Sequence, residues 1–433
     1  MTGKRKVQLP AGAGGKWLAE WLALAAIIAC AAPVFAEEKG GFSLAPEYYE
    51  FYGEAEAEGT LFMRSARFAG QRRDHVSFAV EPTLFGEWAD GDITATFTPF
   101  ARVDSADTNR SHVDIREAKI DYSSGDWEAT VGVDTVFWGK TEAVHLVDII
   151  NQTDGVEDLD DEAALGQPMV RVAYLADIGE FSAYYLPYVR LRTVAGAEGR
   201  LRGALPVNND QAQINARGDR FAPSFALRYA GVIGDADIGV SGFHGISRDP
   251  GFIPTDFVLV GGVPTPTALA PVYDKITQIG FDGQYTDGPT LYKGEAIFRT
   301  GQTDLRGRRR DFVAVTGGLE YTLFGVYENA DLGLIGEYAF DSRGDDATST
   351  FQNDVIVGAR LALNDEDDTS VLLTSAVDHQ HGVAAFRLEA QRRVAEGLVA
   401  SIEGSLFVNN EDDPLAADFQ DDSFLRLKLT YFW

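Results

Sequence analysis

The chain has 433 residues and carries 66 Asp+Glu against 37 Lys+Arg, a formal net charge of −29. So large an acidic excess repels phosphate backbones and excludes a nucleic-acid partner. Its single cysteine, Cys30, excludes a disulfide framework or a cysteine-held metal.

The N-terminus reads as a leader. Lys4, Arg5, Lys6 and Lys16 precede an apolar run from Trp21 to Phe35, and Val34-Phe35-Ala36 offers a small-residue cleavage site before Glu37-Glu38. That is the layout of a secretory signal peptide over residues 1–36, with a single domain over 37–433. Ile27-Ile28-Ala29-Cys30 forms a rival site at which Cys30 would be lipidated. Beyond the leader no segment holds 18 consecutive apolar residues, so helical membrane spans are not expected.

What recurs instead is alternation with period 2, which gives a strand two faces in two different surroundings. Such runs lie near 54–64, 75–87, 92–103, 113–123, 126–136, 169–176, 179–190, 222–232, 235–245, 274–286, 289–300, 312–324, 331–341, 353–363, 369–378, 383–393, 397–408 and 423–433. In the last, Leu425, Leu427, Leu429, Tyr431 and Trp433 oppose Phe424, Arg426, Lys428 and Thr430. Every second connection is short and rich in turn residues, such as Ala89-Asp90-Gly91, Ser124-Gly125 and Asp287-Gly288, where Gly supplies positive φ. The intervening ones are mostly longer. Short turns at one end and long loops at the other are the pattern of a transmembrane antiparallel up-and-down β-barrel. About 18 strands are expected, with 16 as the alternative. An even count puts both chain ends on the short-turn, periplasmic side. Partners implied are outer-membrane lipid and lipopolysaccharide.

No nucleophile elbow, His-Glu-x-x-His or phosphate-binding glycine loop is present, so no catalytic residue is assigned. An embedded hydrolase built from scattered residues is the least favoured reading. His379 and His381 share a short loop, and acidic runs occur around 154–162, 409–413 and 421–422. None has the spacing of a metal site, and no cofactor is expected. Basic side chains run against the net charge: Arg192, Arg200 and Arg202 in one long loop, Arg306, Arg308, Arg309 and Arg310 in another. With Arg360, Arg387, Arg426 and Lys428 on the polar strand faces, they are candidates for lining a pore that selects small hydrophilic or anionic solutes. Residues 137–169 are partly helical in pattern, and a loop so long is expected to have a role. Folded inward, it would form a constriction using Trp138, Lys140, Asp148 and Asn151; as a plug it would give a closed structural or interaction barrel.

Within that segment Trp138-Gly139-Lys140 and Asp148-Ile149-Ile150-Asn151 resemble elements of porin and alginate-export barrels. The resemblance implies passage of an acidic polysaccharide through an Arg-lined pore. It covers the architecture and this one segment, with no pore residue matched position by position. Tyr431-Phe432-Trp433 resembles the terminal signal read by the barrel-assembly machinery, Trp replacing the usual Phe.

Overall fold

The computed structural model describes residues 45–157, 162–409 and 416–433. The leader, its cleavage site and Cys30 lie outside the described residues. Eighteen strands form one antiparallel sheet. They are β1 Tyr48–Phe62, β2 Asp74–Trp88, β3 Ile93–Asp104, β4 Val113–Ser124, β5 Trp127–Asp134, β6 Gln167–Ala176, β7 Gly179–Leu186, β8 Ser224–Ile233 and β9 Ala236–Ile246. There follow β10 Lys275–Asp287, β11 Thr290–Thr303, β12 Arg309–Tyr327, β13 Ala330–Asp341, β14 Asn353–Ala362, β15 Ser370–Asp378, β16 Ala384–Ala395, β17 Leu398–Val408 and β18 Phe424–Phe432.

Each strand pairs with its sequence neighbour, and β18 returns to β1, Phe424 opposite Phe62 and Phe432 opposite Glu54. The seam is finished by Gly53 and Trp433, whose N–H groups donate to each other's carbonyls at 3.3 and 3.1 Å. The sheet is therefore a closed barrel, with no edge left to template aggregation. All eighteen runs read from the sequence are strands, and the 16-strand alternative does not occur. The first begins at Tyr48, earlier than its alternation suggests, because Tyr48, Tyr49, Phe51 and Tyr52 put aromatics on both faces and hide the period. Among the described residues no helix is long and apolar enough to cross a membrane.

The faces are the reverse of a soluble protein's. On β10, Ile276, Gln278, Gly280 and Asp282 are buried, while Thr277, Ile279 and Phe281 are exposed. On β18, Arg426 is buried, while Leu425, Leu427, Leu429 and Tyr431 are exposed. Large apolar groups outward and Gln, Asp and Arg inward are stable only with hydrocarbon outside and polar partners inside. The fold fits an outer-membrane location.

The longest connections, 135–166, 187–223 and 247–274, share one rim, and turns such as 125–126, 177–178 and 288–289 share the other. Inward-facing side chains change along each strand. On β1, Glu58, Thr60 and Phe62 near the long-loop rim are buried, Glu54 and Glu56 half-buried, and Glu50 near the other rim exposed. On β10 the same descent runs from buried Asp282 to half-buried Gln284 to exposed Thr286. The long-loop half of the lumen is packed with protein, while the short-turn half is open.

The longest strand pair outside the barrel wall lies in the 247–274 connection. Gly251–Val260 pairs with Val263–Tyr273 around Gly261-Gly262, both at positive φ. No strand run was expected between 245 and 274, where Pro254, Pro264, Pro266 and Pro271 interrupt the alternation.

Candidate functional site: a loop across the lumen

The 135–166 loop leaves β5 at Asp134 and folds inward. Asn151 pins its two ends together. The side-chain amide donates to the carbonyls of Asp134 and Leu165, both at 2.9 Å, and its oxygen accepts from Val136 N–H at 2.9 Å. Past this clamp, Trp138, Val147, Ile149 and Ile150 bury themselves against Tyr184, Phe243, Ile276, Ile297 and Phe312 on the wall from β7 to β12. Trp138 meets Tyr184 edge-on at 5.7 Å and lies under the Arg228 guanidinium at 4.7 Å. Arg228 is in turn held by both oxygens of Asp282, at 2.7 and 2.9 Å. An apolar cluster inside a polar lumen fixes the loop by burial rather than by charge alone.

The tip reaches the far wall. Glu295 on β11 accepts from the N–H groups of Lys140 at 2.7 Å, Thr141 at 3.1 Å and Val147 at 3.2 Å. Glu337 on β13 accepts from Glu142 N–H at 2.8 Å. The Glu142 carboxylate pairs with Arg360 on β14 and with Lys293 on β11, the latter at 3.5 Å. These contacts explain why the helical pattern of this segment gives no helix among the described residues. The N–H groups that would bond four residues back go to wall carboxylates and to Asp148. Among the described residues this loop holds bends, turns and two-residue bridges only.

The returning arm is tied to the near wall. Asp154 takes Arg116 of β4 at 2.8 Å and His112 at 3.2 Å, and Glu157 takes Arg102 of β3 at 2.8 Å. Arg110 donates to the carbonyl of Val156 at 3.0 Å and to both oxygens of Glu58, at 2.7 and 2.8 Å. Arg102 also pairs with Glu56 at 2.8 Å. From the β3–β4 side to the β11–β14 side, the loop spans the lumen.

Two carboxylates of the loop have acidities displaced in opposite directions. Asp148 is half-buried; one oxygen accepts from Trp138 and Gly139 N–H at 2.6 and 3.2 Å, and the other is buried without a hydrogen-bond partner. Burial pushes its pKa up to about 6, against those two hydrogen bonds. Burial also works against ionised Asp154, but the His112 hydrogen bond and Arg116 prevail and hold it well below the usual carboxylate range. His112, Asp154 and Glu157 are close enough to share a cation. Arg116 and Arg102 already supply positive charge there and pair with Asp154 and Glu157, at 2.8 Å each.

The structure scatters the basic residues singled out by sequence. Arg426, Lys428 and Arg387 converge on Glu403, at 3.0, 3.7 and 3.7 Å. Arg360 stands between Glu142 and Glu320. Arg200 is buried at the long-loop end, 2.5 Å from Asp422 and stacked over Phe62 at 4.3 Å. Arg202 stacks on Phe68 at 4.5 Å, and Arg192 donates its backbone N–H to Tyr273 at 3.0 Å. Arg306, Arg308 and Arg310 gather around Asp346. Arg309 alternates to the outside of the barrel. Trp138, Lys140, Asp148 and Asn151 do come together in the inserted loop. Glu295 and Glu337, the acceptors for loop backbone, and Arg110 and Arg116, which hold the returning arm, were not singled out from the sequence.

No protein-family model matches the chain, and no curated protein matches it. Among solved structures it is similar to a mutant of the porin of Rh. blastica that carries five substitutions, with TM-score 0.45, 12% identity, and coverage of 89% of this chain and 100% of that one. A second mutant of the same porin, with two introduced tryptophans, gives TM-score 0.44 at the same identity and coverage. A loop L8 deletion mutant of OmpT, an outer membrane protein of Vibrio cholerae, gives TM-score 0.42 and 12% identity, covering 89% of this chain and 99% of that one.

Proposed function

We propose that this barrel is a passive channel for small hydrophilic solutes, narrowed by the 135–166 loop. The supporting observation is the change along the lumen. Polar side chains such as Glu54, Gln284 and Lys428 stay half-exposed toward the short-turn rim, and the loop crosses where the lining becomes buried. A mixed polar lining fits hydrated solutes better than fatty ones. The sequence-based preference for anions or an acidic polysaccharide draws less support, because Arg360, Arg387, Arg426 and Lys428 each face a carboxylate.

Planar-bilayer recording of refolded protein tests the reading. Discrete open steps are expected, and deletion of the loop should enlarge them. A barrel that never conducts, with or without the loop, overturns it. The burial of the long-loop half favours a second reading, a closed barrel that serves as a surface scaffold. Conductance that appears only after loop deletion would select that reading.

A further inference from the structure

Arg309 was a pore candidate in the sequence, yet strand alternation turns it outward. On β12 Phe312 and Ala314 are buried inside, whereas Arg309, Asp311, Val313 and Val315 are exposed outside. On β10, Lys275 likewise shares the outer face with Thr277, Ile279 and Phe281. The two basic residues are neighbours at the long-loop rim. Arg309 Nη2 donates to the Lys275 carbonyl at 2.8 Å, and its Nε donates to the Gly301 carbonyl at 2.9 Å. Among the described residues neither side chain has a carboxylate within ion-pair distance. Asp311, on the same face, has an oxygen accepting from Gly301 N–H at 3.2 Å.

Three of the five guanidinium N–H groups of Arg309 and all three ammonium donors of Lys275 are thus left for another acceptor. His244 and Thr277, joined at 2.8 Å, continue the polar collar. Directly below it the outer face is apolar, with Ile279, Phe281, Phe298 and Val313 exposed. The pair therefore sits where the hydrocarbon-facing belt gives way to the headgroup layer, in continuity with the surface already occupied by lipid.

We propose that Lys275 and Arg309 clamp the phosphate of a phosphorylated glycolipid headgroup in the outer leaflet, the lipid A class, whose acyl chains lie over Ile279, Phe298 and Val313. Arginine supplies planar, directed donors and lysine a mobile point charge, a pairing suited to a phosphate monoester at an interface.

The test uses full-length protein folded in detergent and incubated with bisphosphorylated lipid A or its dephosphorylated form, with bound lipid counted by native mass spectrometry. The parent should retain the phosphorylated lipid and not the dephosphorylated one. Lys275→Gln/Arg309→Gln should retain about twenty-five-fold less, since each basic group near a membrane surface attracts anionic lipid by roughly fivefold. Arg393→Gln, at the opposite rim, should match the parent, and unchanged heat-modifiable mobility would show that all three fold. Equal retention by the double variant, or equal retention of dephosphorylated lipid, overturns the proposal. So does displacement of the lipid by equimolar inorganic phosphate, which would make this a site for free phosphate. The readout needs no conducting pore, so failure of the channel reading leaves it intact.

Discussion

Lys140 and Glu295 are 155 positions apart in sequence, yet the backbone N–H of one donates to the carboxylate of the other at 2.7 Å across the lumen. Glu295 does the same for Thr141 and Val147. Glu295→Ala strips three backbone donors, two of them buried, of their acceptor, a loss on the order of 3 kcal/mol in loop docking. Limited proteolysis should then cleave near residue 140, where the parent resists, and single-channel records should become noisier. Glu295→Gln, which keeps one acceptor oxygen, should fall between. A protease-resistant alanine variant would show that the apolar cluster alone docks the loop.

Glu58 is buried among three guanidiniums, bonded to Arg110 at 2.7 and 2.8 Å and lying 3.7 and 3.6 Å from Arg102 and Arg426. Removing one partner of a buried network strands the rest, so Glu58→Ala should destabilise the barrel by about 3–5 kcal/mol. Heating in detergent, read by the mobility shift of the unfolded form, should give a lower transition. Glu58→Ala/Arg110→Ala should lose less than the summed single effects, because the double change removes a charge of each sign. Additive losses would contradict the network.

Asp148 gives the loop a defined pH response. Its folded pKa, raised to about 6, exceeds the unfolded value of about 3.9. The folded loop therefore holds a proton that the released loop gives up, and docking weakens as pH rises from about 4 to about 6. Below that window both states are protonated, and above it the cost is constant. Asp148→Asn keeps an acceptor for Trp138 and Gly139 and carries no charge. Its protease protection should equal the parent's near pH 4 and exceed it above pH 6. A difference that does not vary with pH would rule out this ionisation as the cause.

Glu403 carries the converging charges of Arg387, Arg426 and Lys428. Because these cations offset a carboxylate, Arg426→Ser/Lys428→Ser should move the reversal potential in a salt gradient toward the cation potential. Glu403→Gln should move it toward the anion potential. Unchanged reversal potentials would mean that these residues lie away from the conducting path.

The wall was legible in the sequence because its two faces meet different solvents, so that every strand writes the boundary into alternate residues such as Leu425, Arg426 and Leu427. The inserted loop was legible only as a length and a handful of polar residues. Asn151 and Asp148 look like ordinary loop residues until their partners are known, and those partners, Asp134, Leu165 and Trp138, are chosen by the path of the chain. Helical periodicity at Val144, Val147 and Ile150 misled for a related reason, since Val147 and Ile150 serve one buried cluster without a helix. Arg309 shows the reverse case. Its charge was plain, but only the β12 register decides whether that charge meets solute or lipid.

The pairing of β1 with β18 runs from Glu54 opposite Phe432 to Phe62 opposite Phe424, in the same antiparallel manner as every other neighbouring pair. Physically, then, the ring has no beginning. A circular permutant cut at Gly288-Pro289 and rejoined by a short linker between Trp433 and Tyr48 would preserve the other hydrogen-bonded seams, exchanging only which hairpin is made last. Which strand closes the ring is a matter of where translation starts, and the order of barrel closure can be redrawn without altering the wall.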